Sequence, residues 1–416
     1  SVGAIHKMKS LGILLFLFLI SVKVFAVDEN YKFFLKEVIS NSESIKSKEA
    51  LVNAEELNEL SAKLYAIPKL SGTVTQKHTR INTQGYIESR LILNSLLFDD
   101  VTLNTLKSQH YKLLGALVDL DKEKETIVSS VMSDQINISL YEKLRSNAQI
   151  LKRDSEKLHA KINVKDEVGI IKESDVKLAE LLVQKIDNEI YNIDRVIEQR
   201  KLDIESKALY PYPARGITIS SDKVSQLLSL KKNATDLANN LDLKKIMLSK
   251  LETKENAKAQ DSLYSINLIA ENKYRDREMN KDDTFLGVRL SVNLFNLDNK
   301  LAKLSDLETY RSLSFDYDKQ YKLLKNQLKL CDLITKTNKR ELQNLQQQLS
   351  TTEDLVYKQE KEYDINQTSL YEMLNTRFDL FKIEKAITDI KVSEAKNKIK
   401  QLQLYGGVLL FFIDGE

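Results

Sequence analysis

The chain carries two hydrophobic rhythms. From Leu286 to Leu294 every second residue is a large aliphatic (Leu286, Val288, Leu290, Val292, Leu294), and Gly287, Arg289, Ser291 and Asn293 stand between them. A period of two belongs to a strand with one apolar and one polar face, and about nine such residues cross a bilayer as a tilted strand. Tyr86–Asp99 repeats the pattern: Arg90 and Asn94 keep the spacing of Arg289 and Asn293, with Leu91 and Leu93 in the places of Leu290 and Val292. Two further alternating stretches precede these, so strands are expected over 69–80, 85–97, 262–274 and 284–295, with a turn at Asn82–Gly85. Any one of them alone fits a half-buried strand of a soluble sheet equally well. Their placing as two matched pairs marks a duplicated chain.

The second rhythm is helical. Asn30–Tyr65 reads as one helix stopped by Pro68. Over 99–162, Leu113, Leu117, Leu120, Ile127, Val131, Ile138 and Ile162 are spaced by threes, fours and sevens, or by larger gaps that keep the face. They predict one long helix, about 95 Å at ~1.5 Å per residue, with Asp99 placed to cap it. A reversal around Gly169 returns the chain as a helix over 174–208, and Pro211 and Pro213 break its direction. The second half repeats the order: a helix over Asp222–Gln260, two strands, a long helix over 297–357, a reversal at Tyr363–Thr368 and a return over 369–404. The seam of that second long helix runs Tyr317, Tyr321, Leu324, Leu328, Cys331, Thr335, Asn338, Leu342, Leu345, Leu349, Thr352, Val356, an alternation of fours and threes that gives a left-handed supercoil. The expected organisation is therefore a first repeat over 27–210, a linker over 211–222, a second repeat over 223–405 and a tail over 406–416.

Composition supports long helices: only 11 Gly and 3 Pro occur in 416 residues, and 30% of residues are charged. Residues 1–26 read as a secretory signal, with Lys7 and Lys9, an apolar run Leu11–Val22 and a cleavage motif Val24-Phe25-Ala26. The segment holds three Lys and no acid, so its removal takes the net charge from +3 to zero and argues against a nucleic-acid partner. Cys331 is the single cysteine, and the four histidines lack metal-ligand spacing. No catalytic constellation, metal site or cofactor motif is found, so no enzyme activity is expected. Four strands cannot close a membrane barrel, which needs about eight, and an open edge in lipid is too costly to leave. The barrel must be shared between subunits.

Several local motifs, in order and over about Asn30 to Gly407, resemble the TolC family of outer-membrane efflux and secretion channels. A-I-P-K-L-S (66–71) is similar to that family's helix-to-strand junction, and N-S-L-L-F-D (94–99) and N-L-F-N (293–296) to its strand-to-helix junctions. V-G-I-I-K-E-S-D-V-K-L-A (168–179) and Y-D-I-N-Q-T-S-L-Y-E-M-L (363–374) resemble its two hairpin tips. The resemblance implies a mainly α fold with a small β part: a homotrimer whose 12-stranded outer-membrane β-barrel continues as a long periplasmic α-helical barrel. It implies a passive exit channel of a tripartite efflux or type I secretion system, contacting outer-membrane lipid and docking to a periplasmic adaptor and an inner-membrane pump. Arg90, Asn94, Arg289, Ser291 and Asn293 would face the barrel lumen, and Val168, Gly169, Ile170, Asn366 and Gln367 would form the tips that dock the adaptor. Asp175 and Tyr363 would bond to each other as a gate, and Glu372 would join a constricting acidic ring. Asn375, Thr368 and Asn366 depart from the family's acid, arginine and glycine at the second tip. Asp175 and Glu372 also read simply as a helix cap and a solvated helix face. The competing reading of the whole chain is a secreted or periplasmic coiled-coil scaffold without a membrane barrel.

Overall fold

A computed structural model describes residues 30–78, 85–169, 171–231, 237–276 and 282–414. The signal segment, most of the turn at Asn82–Gly85, and Ile170 lie outside the described residues. The chain runs α1 (Tyr31–Asn41), α2 (Glu43–Lys63), β1 (Lys69–Lys77), β2 (Tyr86–Asp99), α3 (Thr102–Glu167), α4 (Glu173–Ala208), α5 (Ser221–Leu228), α6 (Leu241–Ala259), β3 (Tyr264–Arg275), β4 (Asp282–Val292), α7 (Leu297–Asp364) and α8 (Leu370–Leu404), followed by a π-helical turn at Leu410–Asp414. The four strands form one antiparallel sheet in the order β1-β2-β3-β4. At its helical end the sheet passes directly into α3 and α7.

Each long helix folds back on its partner, α3 on α4 and α7 on α8. α4 presents Ile186, Ile190, Ile193 and Ile197, all buried, at steps of four, three and four; Val128, Val131 and Ile138 of α3 belong to the same core. Burying one such side chain contributes about 1.5–3 kcal/mol. Along α7 the expected seam is buried or half-buried at every position except Tyr321. Helix α6 packs against both α3 and α7, and α8 against α3 and α4, so the two hairpins form one body.

Three expectations need correction. Asn30–Tyr65 is two helices, because Ser42 adopts an extended backbone (φ −64°, ψ 124°) where α1 ends and α2 begins. Asp222–Gln260 is also two: Ser220 and Asn240 each accept a backbone N–H three residues on and start separate helices. The tail is part of the core, since Val408 and Phe412 are fully buried. The long helices also run further than the apolar pattern shows, to Glu167 and Asp364, because the polar residues near the tips are good helix formers.

Candidate functional site

The ladder register sorts the sheet into two faces. Lys69 pairs with Asn94, Asn94 with Ile269, and Ile269 with Gly287, so these four share a face. Arg90, Arg289 and Ser291 fall on that same face with Glu88, Glu271, Lys273 and Arg275. The opposite face carries Leu70 and Val74 of β1, Leu91 and Leu93 of β2, Ile266 and Leu268 of β3, and Leu286, Val288, Leu290 and Val292 of β4. It has no charged residue on β1, β2 or β3, nor between Thr284 and Val292 of β4. Leu286 is 73% exposed and Leu290 63%, so none of the described residues covers this face along β4. Tyr264 and Phe98, with rings 5.9 Å apart, bound it at the helical end, and Tyr274 at the far end. The ten residue steps from Tyr264 to Tyr274 make about 34 Å of strand, which a tilt of about 40° reduces to the ~25 Å apolar band of outer-membrane barrels.

On the polar face Glu88 is almost fully buried. It accepts from Lys77 Nζ (3.0 Å), Arg90 (3.1 Å) and Arg275 Nε (2.9 Å), with Lys273 Nζ at 3.7 Å. Arg90 also reaches Glu271 at 3.2 Å. Four cations thus gather on one carboxylate and tie three strands together. Arg90 was expected on this face; Glu88, two residues away and on the same side by alternation, escaped notice because its ligands come from three strands. Asn293 lies just beyond β4, where its side chain donates to the Ser262 carbonyl (2.9 Å) and holds the start of β3.

Asp99, expected to cap the first long helix, stands two residues before its cap position, Val101, and Asn296 caps the second. Asp99 Oδ1 accepts from the backbone N–H of Val101 (3.0 Å) and Thr102 (2.6 Å), and Asn296 Oδ1 from that of Asn299 (3.1 Å). Midway along the helices an equatorial cluster forms. Asn30 accepts from Thr218 N (2.6 Å) and donates to Gly216 O (3.0 Å), while Gln135 donates to Ile217 O (2.9 Å) and accepts from Tyr212 Oη (3.0 Å). The polar seam positions of α7 share a partly buried partner. Glu394 of α8 accepts from Thr335 (2.9 Å) and Asn338 (2.8 Å), and Lys398 lies 3.6 Å from the same carboxylate.

At the tips Gly169 (φ 71°) and Asn366 (φ 60°) adopt the left-handed turn, which Asn tolerates better than most residues. Val168 and Gln367 flank them and are exposed. Tyr363 is half-buried under Lys165, whose Nζ is 5.5 Å from the ring centre. Burial, then the charges of Asp175 and Asp364, push its phenol above the ordinary range. Asp175 is therefore near Tyr363, but no hydrogen bond joins them within the chain. Other ties lie within the second hairpin and between the two hairpins. Arg377 of α8, a largely buried side chain, pairs with Glu360 of α7 and feels the charge of Asp154 on α3. Lys161 of α3 reaches Asp364 of α7 at 3.8 Å, and Tyr141 of α3 donates to Asp389 of α8. Glu372 is exposed; its N–H donates to Ser369 Oγ (3.3 Å), and its carboxylate accepts from Thr368 (3.0 Å), so within one chain it closes the N-terminal cap of α8.

The fold is that of the TolC-like outer-membrane channels. A structure of CusC, described for the conformational changes that accompany folding and transmembrane channel formation, superposes with TM-score 0.75 at 15% identity over 92% of this chain and 93% of that one. The outer membrane protein VceC of Vibrio cholerae gives 0.71 at 13% identity, covering 91% and 96%. The open-state MtrE outer membrane channel of Neisseria gonorrhoeae gives 0.67 at 12%, covering 92% and 90%. No sequence-family description and no curated protein sequence matches the chain. The likeness is therefore carried by the fold.

Proposed function

We propose that the protein is a passive outer-membrane exit channel of a tripartite efflux or type I secretion system, extending into the periplasm. One observation carries the reading: the sheet has a charge-free apolar face of membrane height, aromatic at both ends, and two open edges. A coiled-coil scaffold has no use for such a face, and water would not tolerate it. Three copies would supply twelve strands and close both edges. α7 supports this with a second apolar stripe, Leu323, Leu330 and Leu333, 47–59% exposed and offset from the seam that meets α8. A helix with two apolar seams has two partners, and α8 with its neighbours fills only one.

In this reading Arg90, Asn94, Arg289 and Ser291 line the lumen, Asp175, Tyr363 and Glu372 sit at the periplasmic gate, and Val168, Gly169, Ile170, Asn366 and Gln367 meet the adaptor that couples the channel to its pump. The likeness to solved outer membrane channels favours the channel over the scaffold. The test is membrane fractionation followed by planar-bilayer recording. A channel stays in the outer membrane until detergent extraction, runs as a trimer by light scattering and conducts ions. A protein that washes off as a monomer overturns the proposal.

A further inference from the structure

We propose that neighbouring copies lock together through Phe295, whose ring seats in a groove left open on the next copy between α2, β1 and the start of α3. The proposal rests on the shared-barrel reading above. The groove holds about 410 Å³ and is walled by Tyr65, Ile67, Leu96 and Leu106, with Lys69 and Asp99 at its polar side. It opens at the helical end of β1, one free edge of the sheet, and reaches along the polar face to Asn94 and Asn267. β4 is the other free edge and runs in the opposite direction, back toward the helices. Its ladder ends with Asn293 N donating to Leu263 O (2.9 Å), and the chain then presents Leu294, 93% exposed, and Phe295, 74% exposed.

The geometry leaves few alternatives. Every neighbouring pair in the sheet is antiparallel. If β4 of one copy pairs with β1 of the next in the same sense, the residues after β4 come level with the residues before β1. Phe295 then meets Tyr65 and Ile67, which are 37% and 53% exposed. Lys69 has no partner among the described residues, and its ammonium can lie over the incoming ring. A second copy of this chain is thus the occupant that fits in direction, level and chemistry. A buried aromatic anchor in a pocket at a subunit contact is the type of residue on which interface energy concentrates.

The full-length chain carrying both Ile67→Cys and Leu294→Cys, which leaves the Phe295 ring in place, oxidised in membranes and run without reductant, tests this directly. The native Cys331 is buried and present in every control. The double variant is expected to give a covalent ladder ending at the trimer, with about ten-fold less product from either single variant. In a separate arm, Phe295→Ser should lower the detergent-resistant trimer about five-fold or more, while Leu294→Ser keeps most of it and both keep the parent's helical circular dichroism. Trimers by light scattering that show no excess cross-link and no loss on Phe295→Ser would overturn the lock alone, leaving Phe295 as an anchor in the lipid interface. Monomers would overturn the shared barrel and the lock with it.

Discussion

Glu125 offers the most quantitative test of the helical body. It is 6% exposed on α3 and faces a polar cavity of about 240 Å³ where α3, α6, α7 and α8 meet. Lys122 also lines that cavity, but its ammonium is paired with Asp242. Burial, then the charges of Asp121 and Asp242, hold the Glu125 carboxyl at about 7 instead of its ordinary 4.5. The folded state therefore keeps a proton that the unfolded chain has released. The stability associated with that proton is complete below about 4.5, falls as pH rises toward 7, and is gone above 7. The full difference corresponds to about 3 kcal/mol per chain, an upper value because water and the Lys400 side chain can enter the cavity. Glu125→Gln keeps the shape and is neutral at every pH. Denaturant unfolding of the detergent-extracted protein, followed by far-UV circular dichroism, should show the variant more stable than the parent by about 1–3 kcal/mol at pH 8, with little gain at pH 5. Because other groups titrate alike in both proteins, the difference between the two pH values isolates this carboxyl. An equal gain at both pH values would mean packing alone; no gain at pH 8 would mean that Glu125 is solvated or paired, and the reasoning would fail.

Other outcomes are equally concrete. Leu290→Arg places a charge on the lipid face and should cost about 2–4 kcal/mol, seen as less assembled trimer in membranes, whereas Ser291→Arg on the lumen face should assemble normally; equal tolerance would refute the facing. Tyr363→Phe should conduct like the parent in planar bilayers because its hydroxyl has no hydrogen-bond partner among the described residues of its own chain, while Arg377→Leu, which unties α8 from Glu360 and from the field of Asp154, should raise conductance. The opposite pattern would restore the tyrosine latch. Glu394→Ala removes the carboxylate that accepts from Thr335 and Asn338 in the α7–α8 seam, while Asn397 still donates to Thr335, and should lower stability by about 1–3 kcal/mol, measured by denaturant midpoint. Gly406→Ala should be poorly folded in the same assay, since φ is +67° and the added methyl would collide with the Asn239 carbonyl oxygen.

The parts of this structure that were legible in the sequence are those set by a repeating period. Alternation found all four strands and separated Arg90 and Arg289 from the leucines of the opposite face. The four-three spacing named the α7 seam, and Gly169 and Asn366 marked turns that need a positive φ. Breaks set by single caps were not legible: Ser42 and Asn240 resemble many other Ser and Asn residues that lie within helices of this chain. Buried charges were missed for a different reason. With 30% of residues charged, nothing local distinguishes Glu88 or Arg377 from a solvated neighbour until the strands and hairpins that surround them are placed. The Asp175–Tyr363 pair was brought close, as the resemblance implied, yet its bond is not made within one chain.

The equatorial cluster has a consequence for biosynthesis. It joins Asn30 near the start of the folded body, Tyr212 and Thr218 in the middle, and Phe412, packed with Val408 in the same core that holds α1. Such contacts span nearly the whole sequence, and contacts of that range form late and slowly. In the proposed channel the hairpins can coil as they emerge, but the girdle around them cannot close until Phe412 has been delivered. Until then the apolar sheet has no finished body to stand on, and the unfinished chain has the exposed edges on which aggregation starts. A chain stopped a few residues short of Phe412 should therefore be lost during export, well before any defect in transport could be measured.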